Sequence, residues 1–179
     1  MIISIQELKA IYTDKNFSKY TDERLKMKLE TIETVIRKYC NNNFQDRLNR
    51  GSFMSANGEL VGISQMHLEI GDTVQITHSQ SNNGLYTIKE VTKERITLDK
   101  PIHDGEMNLL TKIVYPLDII DGAVELLDWS LNKSDKADIT SETISRHSVN
   151  YQSLDGTNTI DGFPSRLFGF CKKYVKGRT

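Results

Sequence analysis

Thr21-Asp-Glu-Arg-Leu-Lys-Met-Lys-Leu-Glu-Thr-Ile-Glu-Thr-Val-Ile-Arg-Lys-Tyr-Cys40 runs straight into Asn41-Asn42-Asn43, and the change of hydrophobic period across that boundary decides the expected fold. Within the stretch, Leu25, Leu29, Ile32, Ile36 and Tyr39 recur at spacings of four, three, four and three. That is the repeat of a helix with one apolar face. Thr21 is a suitable N-cap, and Asp22 and Glu23 complement the positive end of the helix dipole. The asparagine run stops the helix near Cys40.

Upstream, Ser4 and Glu7 have capping-box spacing, which predicts a short helix from Ile5 to about Tyr12. Downstream, the period shortens. Leu68-Glu69-Ile70, Val74–Thr77, Leu85–Ile88 and Ile96–Leu98 are short β-rich runs separated by turn residues such as Gly71-Asp72 and Asn83-Gly84. From Pro116 the helical period returns, with Leu117, Ile120, Val124, Leu127 and Leu131 on one stripe. A polar stretch then leads to Ile144–Tyr151, which suits a strand, and a loop follows from Ser153 to Gly162. Phe163-Pro164 opens a last helix carrying Leu167, Phe168, Cys171 and Tyr174 along one side.

Two apolar helix stripes flank one strand-rich segment, and each needs a partner. The expected fold class is therefore α+β: a mainly helical core, made of a helical hairpin plus terminal helices, with a small inserted all-β unit, barrel- or sandwich-like. The expected division is residues 1–50 and 113–179 for the helical core and residues 51–112 for the β-rich insertion.

At 179 residues, 37% hydrophobic and 26% charged, the chain has enough apolar residues for a core and too many to be disordered throughout. The net charge of -1 is unevenly spread. From Ser165 onward Arg166, Lys172, Lys173, Lys176 and Arg178 stand without an acid, so the preceding residues carry -6. Residues 51–112 hold five basic and eight acidic side chains, a poor match for DNA phosphate. Any electrostatic grip on an anion is thus expected at the C-terminal end. The candidate contact residues for a partner or DNA are Arg166, Lys172, Lys173, Tyr174, Lys176 and Arg178.

Cys40 and Cys171 read as reduced, partly buried thiols rather than a disulfide framework. The opening residues 1–10 lack the long apolar region of a secretory signal, and no stretch approaches a membrane span, so a soluble protein of cytosolic origin is expected, with no membrane partner. His67, His78, His103 and His147 do not pair with other ligands at a metal spacing. Signatures of a nucleophile elbow, a phosphate-cradling loop or a dinucleotide fold are absent. No catalytic residue, metal or cofactor is expected, and the chain reads as a non-enzyme.

The C-terminal run Ile139–Tyr151 carries the pattern S-E-x-I-x-x-x-S-V-x-Y at Ser141, Glu142, Ile144, Ser148, Val149 and Tyr151, ahead of Gly162-Phe163-Pro164 and a basic end. With the helices from Thr21 and Pro116, this arrangement resembles the head-tail connector (adaptor, or head-completion) family of long-tailed phages and prophages. The resemblance covers residues 1–50 and 113–179 and leaves residues 51–112 outside it. It implies a virion structural protein, present in the bacterial host cytoplasm during assembly. Its copies would form a ring of about a dozen, related by symmetry, between the portal protein and a downstream joining or stopper protein. Double-stranded DNA would pass through without sequence-specific contact. On this reading, removing residues 165–179 abolishes portal docking and leaves the monomer folded. The alternative, from a different class, is a nucleic-acid-binding regulator with an SH3-like β unit and a basic C-terminal tail.

Overall fold

The computed structural model describes residues 1–63, 65–133, 141–144, 147–150 and 159–177. They form an α+β structure that divides into two compact units, one made of Met1–Ser4 and Asn42–Tyr115, the other of Ile5–Asn41 and Pro116–Thr179.

The first unit is a closed antiparallel barrel of six strands: β1 (Gln45–Ala56), β2 (Glu59–Val61), β3 (Thr73–Thr77), β4 (Gly84–Val91), β5 (Arg95–Leu98) and β6 (Met107–Ile113). Around the barrel the order is β1-β2-β5-β4-β3-β6, with β6 pairing back onto β1. Closure removes the free edges that an open sheet of this size would present. The alternating residues Val74 and Ile76 of β3 point inward with Phe53, Leu60, Ile88, Ile96, Leu98, Ile102 and Leu110 to form one apolar core. Asn57 and Gly58, both at positive φ, turn β1 into β2, as a two-residue hairpin requires.

This corrects the expectation of a small β insert on a helical core. The barrel is a unit with its own core, and its first strand begins at Gln45, upstream of the expected onset at Gly51. Residues Leu68-Glu69-Ile70, expected as a strand, lie in the connection between β2 and β3. The runs at Val74, Leu85 and Ile96 are strands, in β3, β4 and β5.

The second unit contains α1 (Ile5–Ile11), α2 (Asp22–Cys40) and α3 (Leu117–Asp128), with a ten-residue 3-10 helix at Ser165–Tyr174. Helix α2 is the one read from the opening stretch. Thr21 caps it by accepting the Arg24 N–H, and Asn41 ends it in the left-handed conformation. Leu25, Leu29, Ile32 and Ile36 are fully buried, and α2 packs on α3. In α3 the apolar face is wider than the expected stripe: Ile119, Ala123, Val124, Leu126 and Leu127 are buried while Leu117 is largely exposed. Leu117 stands in the first turn directly after Pro116, whose carbonyl accepts the Ile119 and Ile120 N–H groups.

The connector-like run forms an antiparallel hairpin of β7 (Ser141–Ile144) and β8 (His147–Asn150), with Glu142 opposite Val149 and Thr143 opposite Ser148. Tyr151, also part of the pattern, lies outside the described residues. A second small hairpin pairs β9 (Thr159–Ile160) with β10 (Phe163–Pro164) across Asp161-Gly162, both at positive φ.

Candidate partner-binding surface

The 3-10 helix sets the geometry of the basic terminus. With three residues per turn, side chains three apart stack in line, so Phe168, Cys171 and Tyr174 fall on one face and Arg166, Gly169 and Lys172 on another. Phe168 is buried against Tyr39 of α2 and Phe163, with ring centroids 5.2 and 6.3 Å away. Trp129 also packs on Phe163, with ring centroids 5.6 Å apart. Phe170 lies over Gly122 of α3, where a β-carbon would come within 2.3 Å of the ring. Glycine is the residue that allows this approach.

Polar contacts fasten the same segment. Asp118, in the first turn of α3, accepts from the Tyr174 hydroxyl at 2.7 Å and pairs with Lys173 Nζ at 2.6 Å. The Lys173 and Tyr174 hydrogen bonds hold the Asp118 carboxyl below the usual carboxylate range. The bond to Asp118 raises Lys173 in return. Beyond the helix, the Lys176 N–H donates to the Cys40 carbonyl at 2.8 Å, and the Asn41 amide donates to the Gly177 carbonyl at 3.1 Å. The unsatisfied carbonyl end of α2 is thereby capped by the chain terminus.

The six candidate residues therefore divide. Lys173 and Tyr174 are engaged by Asp118. Arg166, Lys172 and Lys176 are exposed and have no acidic partner among the described residues. Arg178 lies outside the described residues. Phe168 and Cys171 are buried in the core of their unit, so residues 165–179 are not a removable tail. That burial argues against the expectation that deleting residues 165–179 leaves the rest folded.

Cys40 and Cys171 are both fully buried, and the Cys40 thiol lies 3.9 Å from the Cys171 carbonyl. Burial pushes both thiols up, which lowers their thiolate fraction and reactivity. His67, His78 and His103 are exposed. Among the described residues no group of three or more His, Cys, Asp or Glu could hold a metal, and no helix is long and apolar enough to cross a membrane.

One polar cluster in the barrel unit invites a chemical test. The Ser79 hydroxyl donates to the Glu106 carboxylate, which also accepts the Ser81 N–H at 3.0 Å. These bonds, led by that of Ser79, hold Glu106 at about 2. A carboxylate so acidic is a weak general base at neutral pH. Ser79 Oγ also accepts the Asn82 N–H at 3.1 Å, so the cluster ties down a loop. Beside it, buried Asn82 and Asn108 bond to each other at 3.1 Å, and Asn82 also exchanges hydrogen bonds with the main chain of His103. This polar plug was not legible in the sequence: nothing in the spacing of two asparagines distinguishes a buried amide pair from two turn residues.

Compared with protein-family models and with curated proteins, the chain matches none.

Proposed function

We propose that the chain is a structural subunit of a tailed-phage particle, a connector-type protein that assembles as a ring between portal and tail and forms part of the passage for DNA. One observation carries the reading: the 3-10 helix at Ser165–Tyr174 buries one face and leaves Arg166 and Lys172 on another, with Lys176 exposed beyond it. A basic face fixed on a packed scaffold suits docking on an acidic protein surface, because little side-chain and backbone ordering remains to be lost on binding. The S-E-x-I-x-x-x-S-V-x-Y run and the Pro-initiated basic end supply the family resemblance that names the partner as the portal. The excess of acids over bases in residues 51–112 is compatible with a conduit along which DNA slides without tight phosphate neutralisation.

A second reading, a nucleic-acid-binding regulator, draws on the closed six-stranded barrel, an architecture shared with small SH3-like modules. The two readings separate in one pair of measurements. Negative-stain images of the chain mixed with its portal are expected to show added ring density, and duplex DNA affinity is expected to be weak with a shallow salt slope. Tight duplex binding with a steep salt slope, and no portal-bound density, would favour the regulator.

A further inference from the structure

Strand β1 does not run smoothly. Asp46 pairs with Lys112 and Arg50 pairs with Thr111, so Arg47, Leu48 and Asn49 are expelled from the ladder as a bulge. The bulge is pinned rather than loose. The Asp46 carboxylate accepts the Leu48 N–H at 3.1 Å and the Asn49 amide at 2.7 Å. Asn49 Oδ1 accepts the His67 N–H at 3.2 Å, and Arg50 Nε donates to Thr111 Oγ1 at 3.0 Å. What this network presents is Leu48, 97% exposed, at a groove of about 350 Å3 that it shares with Phe53, Met66 and Ile63, itself 86% exposed. Single exposed apolar residues are ordinary. Two aliphatic side chains almost wholly in water at one groove, one of them on a hydrogen-bonded bulge, are a surface prepared for contact.

The charges beside it select the occupant. Arg47 is exposed with no acidic partner among the described residues, and Arg50 bonds only to the neutral Thr111 and Gln45 side chains. The groove rim is therefore cationic, in a barrel whose residues 51–112 carry eight acids against five bases. On that same barrel Glu69, Glu90, Glu94 and Asp104 are exposed with no cationic partner among the described residues. One unit thus presents an apolar-cationic patch and, on other residues, exposed carboxylates with which the arginines of a second copy can pair. A DNA backbone would be served by Arg47 and Arg50 but would leave Leu48 and Ile63 without an apolar counterpart.

We infer that the Leu48 bulge is a docking surface for the barrel unit of a second copy of this chain. The contact joins two different patches, so it is head-to-tail in character and can propagate from copy to copy. Leu48 supplies the apolar anchor, and the arginines set orientation and encounter rate. The inference uses residues of the barrel unit alone, of which residues 47–50 fall at the end of the stretch that the connector resemblance covers, and it does not depend on portal docking.

The test is photo-crosslinking of the full chain with p-benzoyl-phenylalanine in place of Leu48, a position exposed enough to accept it without disturbing the fold. Irradiation is expected to give covalent dimers whose adducts map to residues 42–115 of the second copy, with the yield falling as salt is raised. In sedimentation equilibrium, Arg47→Glu and Leu48→Asp are each expected to weaken self-association about tenfold or more, as loss of an interface anchor does. Absence of covalent dimers, adducts confined to residues 116–179, transfer of the label to added duplex DNA in place of protein, or unchanged self-association in both variants would each overturn the inference. Any of those results leaves the portal-docking experiment to be judged on its own.

Discussion

The last strand of the barrel and the last helix of the second unit close their units by different means. Strand β6 pairs with β1 from Met107 to Ile113 and with β3 from Leu109 to Lys112, so closure is carried by main-chain hydrogen bonds that many sequences of suitable β propensity could make. The 3-10 helix at Ser165–Tyr174 has no such ladder. It is held by Phe168 in an aromatic cluster, Phe170 over Gly122, the Asp118 contacts and the buried Cys171. A backbone-closed unit tolerates side-chain change at the outward-facing positions of its seam, whereas a side-chain-closed unit depends on a few identities. The basic face proposed to meet the portal is carried on the second, more sequence-dependent kind of closure.

That contrast can be broken most forcefully at Phe168. Phe168→Ala removes the buried ring shared with Tyr39 and Phe163, and is expected to cost about 3–5 kcal/mol in chemical denaturation. Hydrogen exchange should accelerate across residues 165–174. A loss below about 1 kcal/mol, with exchange unchanged, would show that the helix is held some other way.

Next come two substitutions that set side-chain closure against barrel interior. Gly122→Ala places a methyl against the Phe170 ring and is expected to cost about 1–3 kcal/mol by overpacking, unless the half-exposed ring swings outward, which fluorine labelling at Phe170 would report. In the barrel, Asn108→Ala leaves the Asn82 amide and the Phe53 and Glu106 carbonyls with a lost partner. Its expected cost is also about 1–3 kcal/mol, from unsatisfied buried polar groups.

The smallest effect belongs to Asp118→Asn, and its pH dependence sharpens the comparison. Asp118 is held below the usual carboxylate range by Lys173 and Tyr174, so its contribution is fully present above the unfolded carboxylate value and is lost as pH falls through the lower folded value. Lys173 is raised by the same pair, so that contribution also fades as pH climbs through the folded lysine value. The stability gap between wild type and Asp118→Asn should therefore form a plateau around neutral pH and shrink at both ends. A gap independent of pH would assign the effect to packing.

The sequence disclosed the helices more completely than the strands, for reasons visible in particular residues. Helix α2 obeys one period from Leu25 to Tyr39 and carries both its caps, so its bounds and buried face were readable. Strand β1 was not, because its bulge shifts the alternation midway and, of its twelve residues, only Phe53 and Ser55 are buried. Asn83-Gly84, read as turn residues between two runs, does stand at the end of the connection between the paired strands β3 and β4, whereas the two-residue turns at Asn57-Gly58 and Asp161-Gly162 were not singled out. Turn dipeptides identify a bend only when the flanking strands are already known. The basic face was legible as composition, but its division into engaged and exposed members was not. The partner of Lys173 is Asp118, far away in sequence, and no local spacing announces it.

The central claim is that Arg166, Lys172 and Lys176 form a fixed basic docking face for a portal ring. Native mass spectrometry of the full chain mixed with its portal tests it directly, beside the variant Arg166→Glu, Lys172→Glu, Lys176→Glu, whose substitutions fall at exposed positions and should leave the fold intact. The account predicts one stoichiometric complex of portal with a symmetric set of copies for the wild type, and separate portal and free chain for the variant. Equal complex formation by both, or none by the wild type, would contradict it.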